Sequence, residues 1–326
     1  MVSIDWQPSA SLSRLKERAD FLRDIRHFFA KREIMEVDTP LLCFGVATDP
    51  GLQAFAVNVS AQKPSFRYLQ TSPEYAMKRL VAAGSGPIYY LGKAFRAEEV
   101  GRKHNPEFTM LEWYRPAWDH LALIAEVDEL MQELLGTLPA QVVTYADLFL
   151  HYFNIQPHLA ELSQLQAAAI AKQWVAATDL PELDKDGWLD LLMSHGIEPY
   201  LGQERPLVVT DYPASQASLA KTRMIEQTVP FQVAERFEFY FKGIELANGY
   251  HELCCAKEQA ARFEEDLTKR KAFGLAELPI DHYLLAALQE GFPPCAGVAL
   301  GVDRLLMLKV NEKDIAKVLP FAWAGA

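Results

Sequence analysis

FRAEEVGRKHNPEFTMLEWYRP, residues 95–116, joins two apolar, aromatic runs through a polar segment. The runs Pro87 to Phe95 and Phe108 to Tyr114 have the composition of two antiparallel strands, and GRKHNPE between them reads as a mobile basic loop. Side chains alternate along a strand, so Phe108, Met110, Glu112 and Tyr114 share one face, and Glu112 and Tyr114 point together. Taken singly, each charged residue fits an ordinary surface hairpin. An arginine, a cationic loop, and a strand bearing a carboxylate and a phenol make a more specific combination.

Upstream, residues 12–33 place Leu15, Ala19, Leu22, Ile25, Phe28 and Phe29 at helical spacing, and EVDTP follows at 36–40, where Pro40 stops the helix. FRYLQT at 66–71 predicts a strand. SPEYAMKRLVAAG predicts a helix with Ser72 as cap, Pro73 at its first position and Gly84 as its stop. Downstream, 119–135 is helical in pattern, and 137–205 is Ala- and Leu-rich with few chemical residues, as in an inserted helical subregion. Strand patterns return at 206–212 and 233–254, and a charged helix covers 256–273 before Gly274.

Two further stretches carry chemistry. In RFEFYFKGIELANGYHEL, residues 236–253, a two-residue turn at Lys242-Gly243 puts Tyr240 opposite Glu245, with Glu238 diagonal to it on the same face. Two carboxylates at that separation suit a magnesium ion bound to nucleotide phosphates, although solvent-facing glutamates are the commoner case. Simple alternation sends Glu252 to the other face unless a bulge, for which Asn248-Gly249 is the candidate, restores it. GVALGVDRLLML, residues 297–308, is a strand of small residues feeding a helix with Arg304 in its first turn; its leucines read as core. GPIYYLGKA at 86–94 is not a phosphate loop, because five residues separate its glycines and Ala94 stands where a Ser or Thr would hold magnesium.

Half of the 326 residues are hydrophobic and 23% are charged, which suits a folded protein with a substantial core rather than a disordered one. No apolar run approaches the ~20 residues of a membrane span, and the N-terminus has no signal-peptide core, so the expected location is cytoplasmic, without a membrane partner. The four cysteines lack CxxC spacing and read as reduced thiols. A net charge of −11 counts against a broad nucleic-acid surface, and hence against a tRNA partner.

Together, TSPE at 71–74, HNPEFTM at 104–110, the 236–253 block and EGFPPCAGVALGVDR at 290–304 occur in the order of the class II lysyl-tRNA synthetases, and EVDTP resembles their first motif. The resemblance runs from about residue 12 to about residue 319. It implies an α+β fold: an antiparallel sheet flanked by helices, in one catalytic domain over 1–326 with the insertion at about 137–205, and a homodimer through the first motif. It implies ATP and Mg2+ as cofactors. Arg96 and Arg304 become the catalytic cations on the phosphates, with Ala97, Glu98, Asn105, Glu245, Leu246 and Gly301 completing the nucleotide site. Glu238 and Glu245 become the metal ligands. Ser72, Pro73, Glu74, Glu112, Tyr114, Asn248, Tyr250, Glu252 and Ala299 would line the amino-acid pocket, whose carboxylates suit a substrate with two ammonium groups. Ala97 replaces the family's usual asparagine, leaving only backbone contacts there, and Ala299 replaces a usual glycine.

The synthetases carry an anticodon-binding domain ahead of this core, for which no room is expected before residue 12. The resemblance therefore points to their free-standing bacterial relatives, which attach lysine, preferably (R)-β-lysine, to a lysine side chain of elongation factor P. A truncated synthetase charging tRNA and a non-catalytic binding module are the competing readings.

Overall fold

The computed structural model describes residues 6–326, which divide into two units. The first holds residues up to 118, 133–136 and 254–326; the second holds 119–132 and 137–253.

The first unit opens with α1, Leu12–Ala30, where the Ser11 side chain accepts from the Arg14 N–H at 3.2 Å. Its buried face is Arg18, Phe21, Ile25, Phe28 and Phe29, whereas Ala19 is exposed and Leu22 only partly covered. The stripe is thus rotated from the one that apolar spacing predicts. Its cause is Arg18, which turns inward to pair with Asp303 at 2.6 Å and to donate to Thr109 Oγ1 at 2.7 Å. Strands β1 (Met35–Glu36), β2 (Leu42–Cys43), β3 (Ala56–Asn58) and β4 (Phe66–Leu69) follow, the last three forming a small antiparallel sheet in the order β2-β4-β3. Helix α2 is Glu74–Ala82, with Pro73 as the capping residue; Ser72 sits one place earlier than expected, its Oγ accepting from the Glu74 N–H at 3.3 Å. Strands β5 (Ile88–Phe95) and β6 (Glu107–Pro116) pair antiparallel from Ile88 opposite Tyr114 to Phe95 opposite Glu107, as the hairpin reading requires. β1 runs parallel to β5, and Phe29 stacks on Tyr89 with ring centroids 4.3 Å apart. A Cβ at Gly92 would lie 2.4 Å from the Tyr90 hydroxyl, so any side chain there requires that ring to move.

Helix α3 (His120–Leu135) leads into the second unit. The 137–205 stretch is not purely helical: β7 (Gln141–Thr144) precedes α4 (Tyr145–Phe153), α5 (Leu162–Ala171), α6 (Lys185–Gly196) and a 3-10 turn at Glu198–Tyr200. QVVT is rich in β-branched residues, which favour a strand, and it pairs parallel to β8 (Leu207–Pro213). β9 (Thr222–Ile225) and β8 each pair antiparallel with β10 (Phe231–Phe241), which turns back into β11 (Ile244–His251). Tyr145, Phe149, Leu165, Trp188 and Leu192 pack with Val209, Tyr212, Ala234 and Tyr240 into one apolar core, so the insertion buries the face of these strands.

The chain then completes the first unit with α7 (Ala256–Ala272), α8 (His282–Gly291), β12 (Cys295–Gly301) and α9 (Val302–Lys309). Helix α8 is capped by the Asp281 side chain, which accepts from the Tyr283 and Leu284 N–H groups at 2.9 Å. β12 lies antiparallel to β6, with Ala299 opposite Glu112 and Gly301 opposite Met110. Both units are therefore α+β, built on largely antiparallel strands flanked by helices.

Candidate active site

In the first unit, β6 and β12 hold one set of the expected residues. Tyr114 donates its hydroxyl to Glu112 Oε1 at 2.8 Å, which two side chains on one face of a strand can do and neighbours on opposite faces cannot. Because facing residues of an antiparallel pair share a face, the Ala299 methyl lies on the side of Glu112. Val298 and Leu300 point the other way, into the core. A Cβ added to Gly301 would meet nothing nearer than the Arg304 side chain at 3.7 Å, so the chain itself does not demand glycine there. The missing side chain leaves a cradle against which a planar ligand can lie.

Arg304 enters from the first turn of α9, and the residue before it, Asp303, is buried against Arg18 and also accepts the Thr109 N–H at 2.7 Å. One carboxylate thus ties α1, β6 and α9 together and aims Arg304. The Arg304 guanidinium donates to the Lys103 carbonyl at 3.2 Å and to His104 Nε2 at 2.5 Å. Burial and then the guanidinium hold His104 below its ordinary pKa, so the ring accepts as a neutral imidazole. Arg96 lies across the Phe108 ring at 5.3 Å with Glu99 at 3.6 Å. Two arginines and a glycine cradle match the chemistry of a nucleotide triphosphate.

The remaining loop residues divide. Glu98 is exposed and adopts φ 69°, a conformation in which its side chain leaves the strand line. The Ala97 N–H is already given to the Gln53 carbonyl at 2.8 Å. Asn105 is buried and ties the loop to the C-terminal segment: its amide donates to the Glu107 carbonyl and accepts the Trp323 N–H at 2.9 Å. Its side chain is therefore a clamp in this structure. Glu74 is met by the buried Lys78 ammonium at 2.7 Å, a partner one helical turn away that apolar spacing does not reveal. Ser72 and Pro73 line a cavity together with Cys43, Tyr75 and Arg79; burial and Asp281 push the Cys43 thiol up to about 11, so it stays protonated near neutrality.

In the second unit, the turn at Lys242 (φ 51°) and Gly243 (φ 66°) is a two-residue type I′ turn, and Tyr240 faces Glu245 as the reading of this hairpin requires. The bulge falls at Leu246, between the Tyr240–Glu245 and Phe239–Ala247 pairs, not at Asn248-Gly249. One extra residue flips the parity beyond it, so Asn248, opposite Glu238, and Tyr250, opposite Arg236, return to the face of Glu245. Alternation carries Glu252, which is buried, to that face as well.

Glu238 does not present itself as an open metal ligand. It accepts from the Tyr212 hydroxyl at 2.7 Å, from the Tyr240 hydroxyl and from Arg236, so three of its roughly four acceptor positions are taken. Arg236, which no motif singled out, neutralises it. Glu245 is only partly covered. Close by, burial together with Glu238 and Glu245 pushes the Glu198 carboxyl up to about 7. That residue comes from the stretch expected to carry no chemistry. The residues fit a divalent cation at Glu245 but not one shared evenly with Glu238. Elsewhere in this unit, His120, Glu235 and His251 bring ligand atoms within 4.8 Å of one another. Lys221 donates to His251 Nε2 at 3.2 Å, which leaves Nδ1–H to donate to Glu235 at 2.6 Å, so both ring nitrogens of His251 are engaged.

No helix among the described residues is long and apolar enough to cross a membrane. Comparison with known proteins bears on the whole chain. Residues 3–324 match the model of the class II tRNA synthetases of the D, K and N type. The chain is 51% identical over 331 aligned positions to the elongation factor P--(R)-beta-lysine ligase of Vibrio cholerae serotype O1, covering 100% of both chains. It is 48% identical over 320 positions to the protein of that name from Hamiltonella defensa, and 49% over 319 to that of Yersinia pestis, each with 97% of both chains covered. With the family model matching from residue 3 to residue 324 and relatives aligning at about half identity over 97–100% of both lengths, the chain belongs to the class II tRNA synthetase family.

Proposed function

We propose that this chain activates (R)-β-lysine or lysine with ATP and transfers it to a lysine side chain of elongation factor P. One observation carries the reading: relatives bearing the name of that activity align at about half identity over 97–100% of both lengths. The family match also runs across both units, which supports reading them as one catalytic domain with an insertion at about 137–205.

In the first step the substrate carboxylate attacks the α-phosphorus of ATP, the bond to pyrophosphate breaks, and an aminoacyl-adenylate forms. In the second, the acceptor amine attacks the acyl carbon and AMP leaves. Positioning and charge neutralisation dominate such chemistry, so Arg96 and Arg304 act on the phosphates while Gly301 receives the nucleotide. Ala97, Glu98, Asn105 and Leu246 frame that site. Mg2+, when bound, neutralises phosphate charge, and we assign Glu245 as its principal carboxylate. Glu74, Glu112 and Glu252, with Tyr114, Asn248 and Tyr250, recognise the two ammonium groups; Ser72, Pro73 and Ala299 shape the pocket. The acceptor amine, with an ordinary pKa of ~10.4, must shed a proton before it attacks.

The test is the intact mass of elongation factor P after incubation with the protein, ATP and each lysine isomer. A gain of one lysyl group supports the reading, and a product found on tRNA alone overturns it. ATP–pyrophosphate exchange should require only the chain, ATP and amino acid, and should fall ~10²–10³-fold in Arg96→Ala. Exchange at the wild-type rate would remove Arg96 from its role. We further propose a cytoplasmic homodimer, supported by the exposed apolar residues Leu41, Leu42 and Phe44 after the EVDTP segment; sedimentation equilibrium at micromolar protein checks it.

A further inference from the structure

We propose that Arg236 is the positioning residue of the amino-acid pocket: it sets the Asn248 amide and, through it, the Tyr250 hydroxyl, with Glu238 as its internal counter-ion. The inference rests on the pocket assignment given above for Asn248 and Tyr250.

Four constraints converge on one guanidinium. Its Nε–H donates to Asn248 Oδ1 at 3.2 Å, its Nη1 donates to the Gln216 carbonyl at 2.9 Å, and its Nη2 donates to Glu238 Oε1. Its plane lies over the Tyr212 ring at 4.6 Å. Each contact uses a different part of a rigid, flat group, so the fork cannot rotate to satisfy one partner without losing another. The side chain is largely covered, and Glu238 is covered with it.

The direction of the hydrogen bonds supplies the consequence. An asparagine amide offers an oxygen that accepts and a nitrogen that donates, and in isolation it can present either end. A guanidinium only donates, so the oxygen must face Arg236. The nitrogen is then left to donate to the Tyr250 hydroxyl oxygen, 2.9 Å away. Tyr250 therefore accepts on that side. One largely covered cation thereby dictates the polarity of two side chains that lie on the pocket face of the strand, because Arg236, Asn248 and Tyr250 share that face. Tyr212 and Tyr240, both donating to Glu238, keep the counter-ion from turning away. Lysine could keep the charge but has no planar fork with which to hold the amide, the carbonyl and the carboxylate at once.

The experiment measures ATP–pyrophosphate exchange on the full chain with lysine and with (R)-β-lysine. Asn248→Ala comes first: an unchanged amino-acid KM in that variant defeats the pocket assignment itself, whatever Arg236 does. With that KM raised, Arg236→Met combined with Glu238→Gln removes the guanidinium without stranding a buried charge. Measured against Glu238→Gln alone, we expect an amino-acid KM about tenfold higher or more, the scale of one lost hydrogen bond to a charged group, with ATP KM within about twofold of that single variant. An amino-acid KM that stays within about twofold, or ATP and amino-acid KM rising together, overturns the proposal. If the double variant does not fold, Arg236→Lys retains the charge balance, and the same expected and overturning results apply to it.

Discussion

The β6–β12 ladder and the β10–β11 hairpin both raise charged side chains on one face, and they hold them in opposite ways. On the first, the arginines assigned to phosphate rest on replaceable partners. Arg304 leans on a loop carbonyl and a neutral histidine, and Arg96 lies across an aromatic face. The rigid part lies behind them, in the buried Arg18–Asp303 pair. On the second, the matching is internal: Glu238 is saturated by a guanidinium and two phenols, and Asn248 is pinned at both ends. The difference teaches a division of labour. On the proposed assignment, the groups that would meet a polyanion are held by loop, ring and single-carboxylate partners, whereas those that would shape the amino-acid pocket have their hydrogen bonds assigned within the hairpin.

The largest expected effect tests the rigid backing of the first region. Asp303→Ala strands the Arg18 charge in the core and should cost ~3–5 kcal/mol of stability, read from urea denaturation. A loss below ~1 kcal/mol would mean that the pair is not the frame that aims Arg304. Next comes the proposed pocket of the second region. Glu252 is buried, so Glu252→Gln should weaken amino-acid binding by ~2–5 kcal/mol, raising the amino-acid requirement far more than that for ATP. Exchange kinetics with each ligand varied in turn would expose the reverse pattern, which would remove Glu252 from the pocket.

Ala299 tests how finely the first region is shaped. Its methyl stands opposite Glu112, and a single methyl in a close pocket discriminates by ~1–3 kcal/mol. We expect Ala299→Gly to raise activation of α-lysine relative to β-lysine with ATP binding intact. An unchanged ratio of the two exchange efficiencies would make the methyl mere filling. A further effect is a pH dependence in the insertion. Burial, followed by Lys185, lowers His158 to about 4 from an ordinary 6.5, and its ring stacks on Phe231 at 4.6 Å. Above pH 6.5 it is neutral in both folded and unfolded chains. As pH falls toward 4 the unfolded chain binds a proton that the folded chain refuses, so stability should decline over that window and level off below it. Denaturation midpoints of wild type and His158→Phe between pH 7 and pH 4 check this, the variant giving the flatter profile.

Much of this molecule was open to reading from the chain alone, where local rules suffice. The β5–β6 hairpin, the Lys242-Gly243 turn, the Tyr240–Glu245 pair and the strand-to-helix passage at Gly301 each follow from alternation, turn chemistry or the placement of small residues. The order of the motifs carried the family.

What only the tertiary structure decided is where partners come from distant positions. Arg18 is an unremarkable helix residue until Asp303, 285 positions later, draws it inside and rotates the buried face of α1. The bulge sits at Leu246 because β11 must bury apolar side chains on one side while keeping Asn248 and Tyr250 on the other, and that parity is a property of pairing, not of composition. Glu238 reads as a metal ligand in sequence because alternation places it on the face of Glu245, while Arg236 and Tyr240, two residues either side on the same strand, do not reveal by spacing alone that they turn onto it. Tyr212 reaches it only once β8 and β10 are paired, and the insertion core packs against that tyrosine. Side-chain periodicity specifies which face a group is on; the low dielectric and fixed geometry of the folded interior decide which partner it takes.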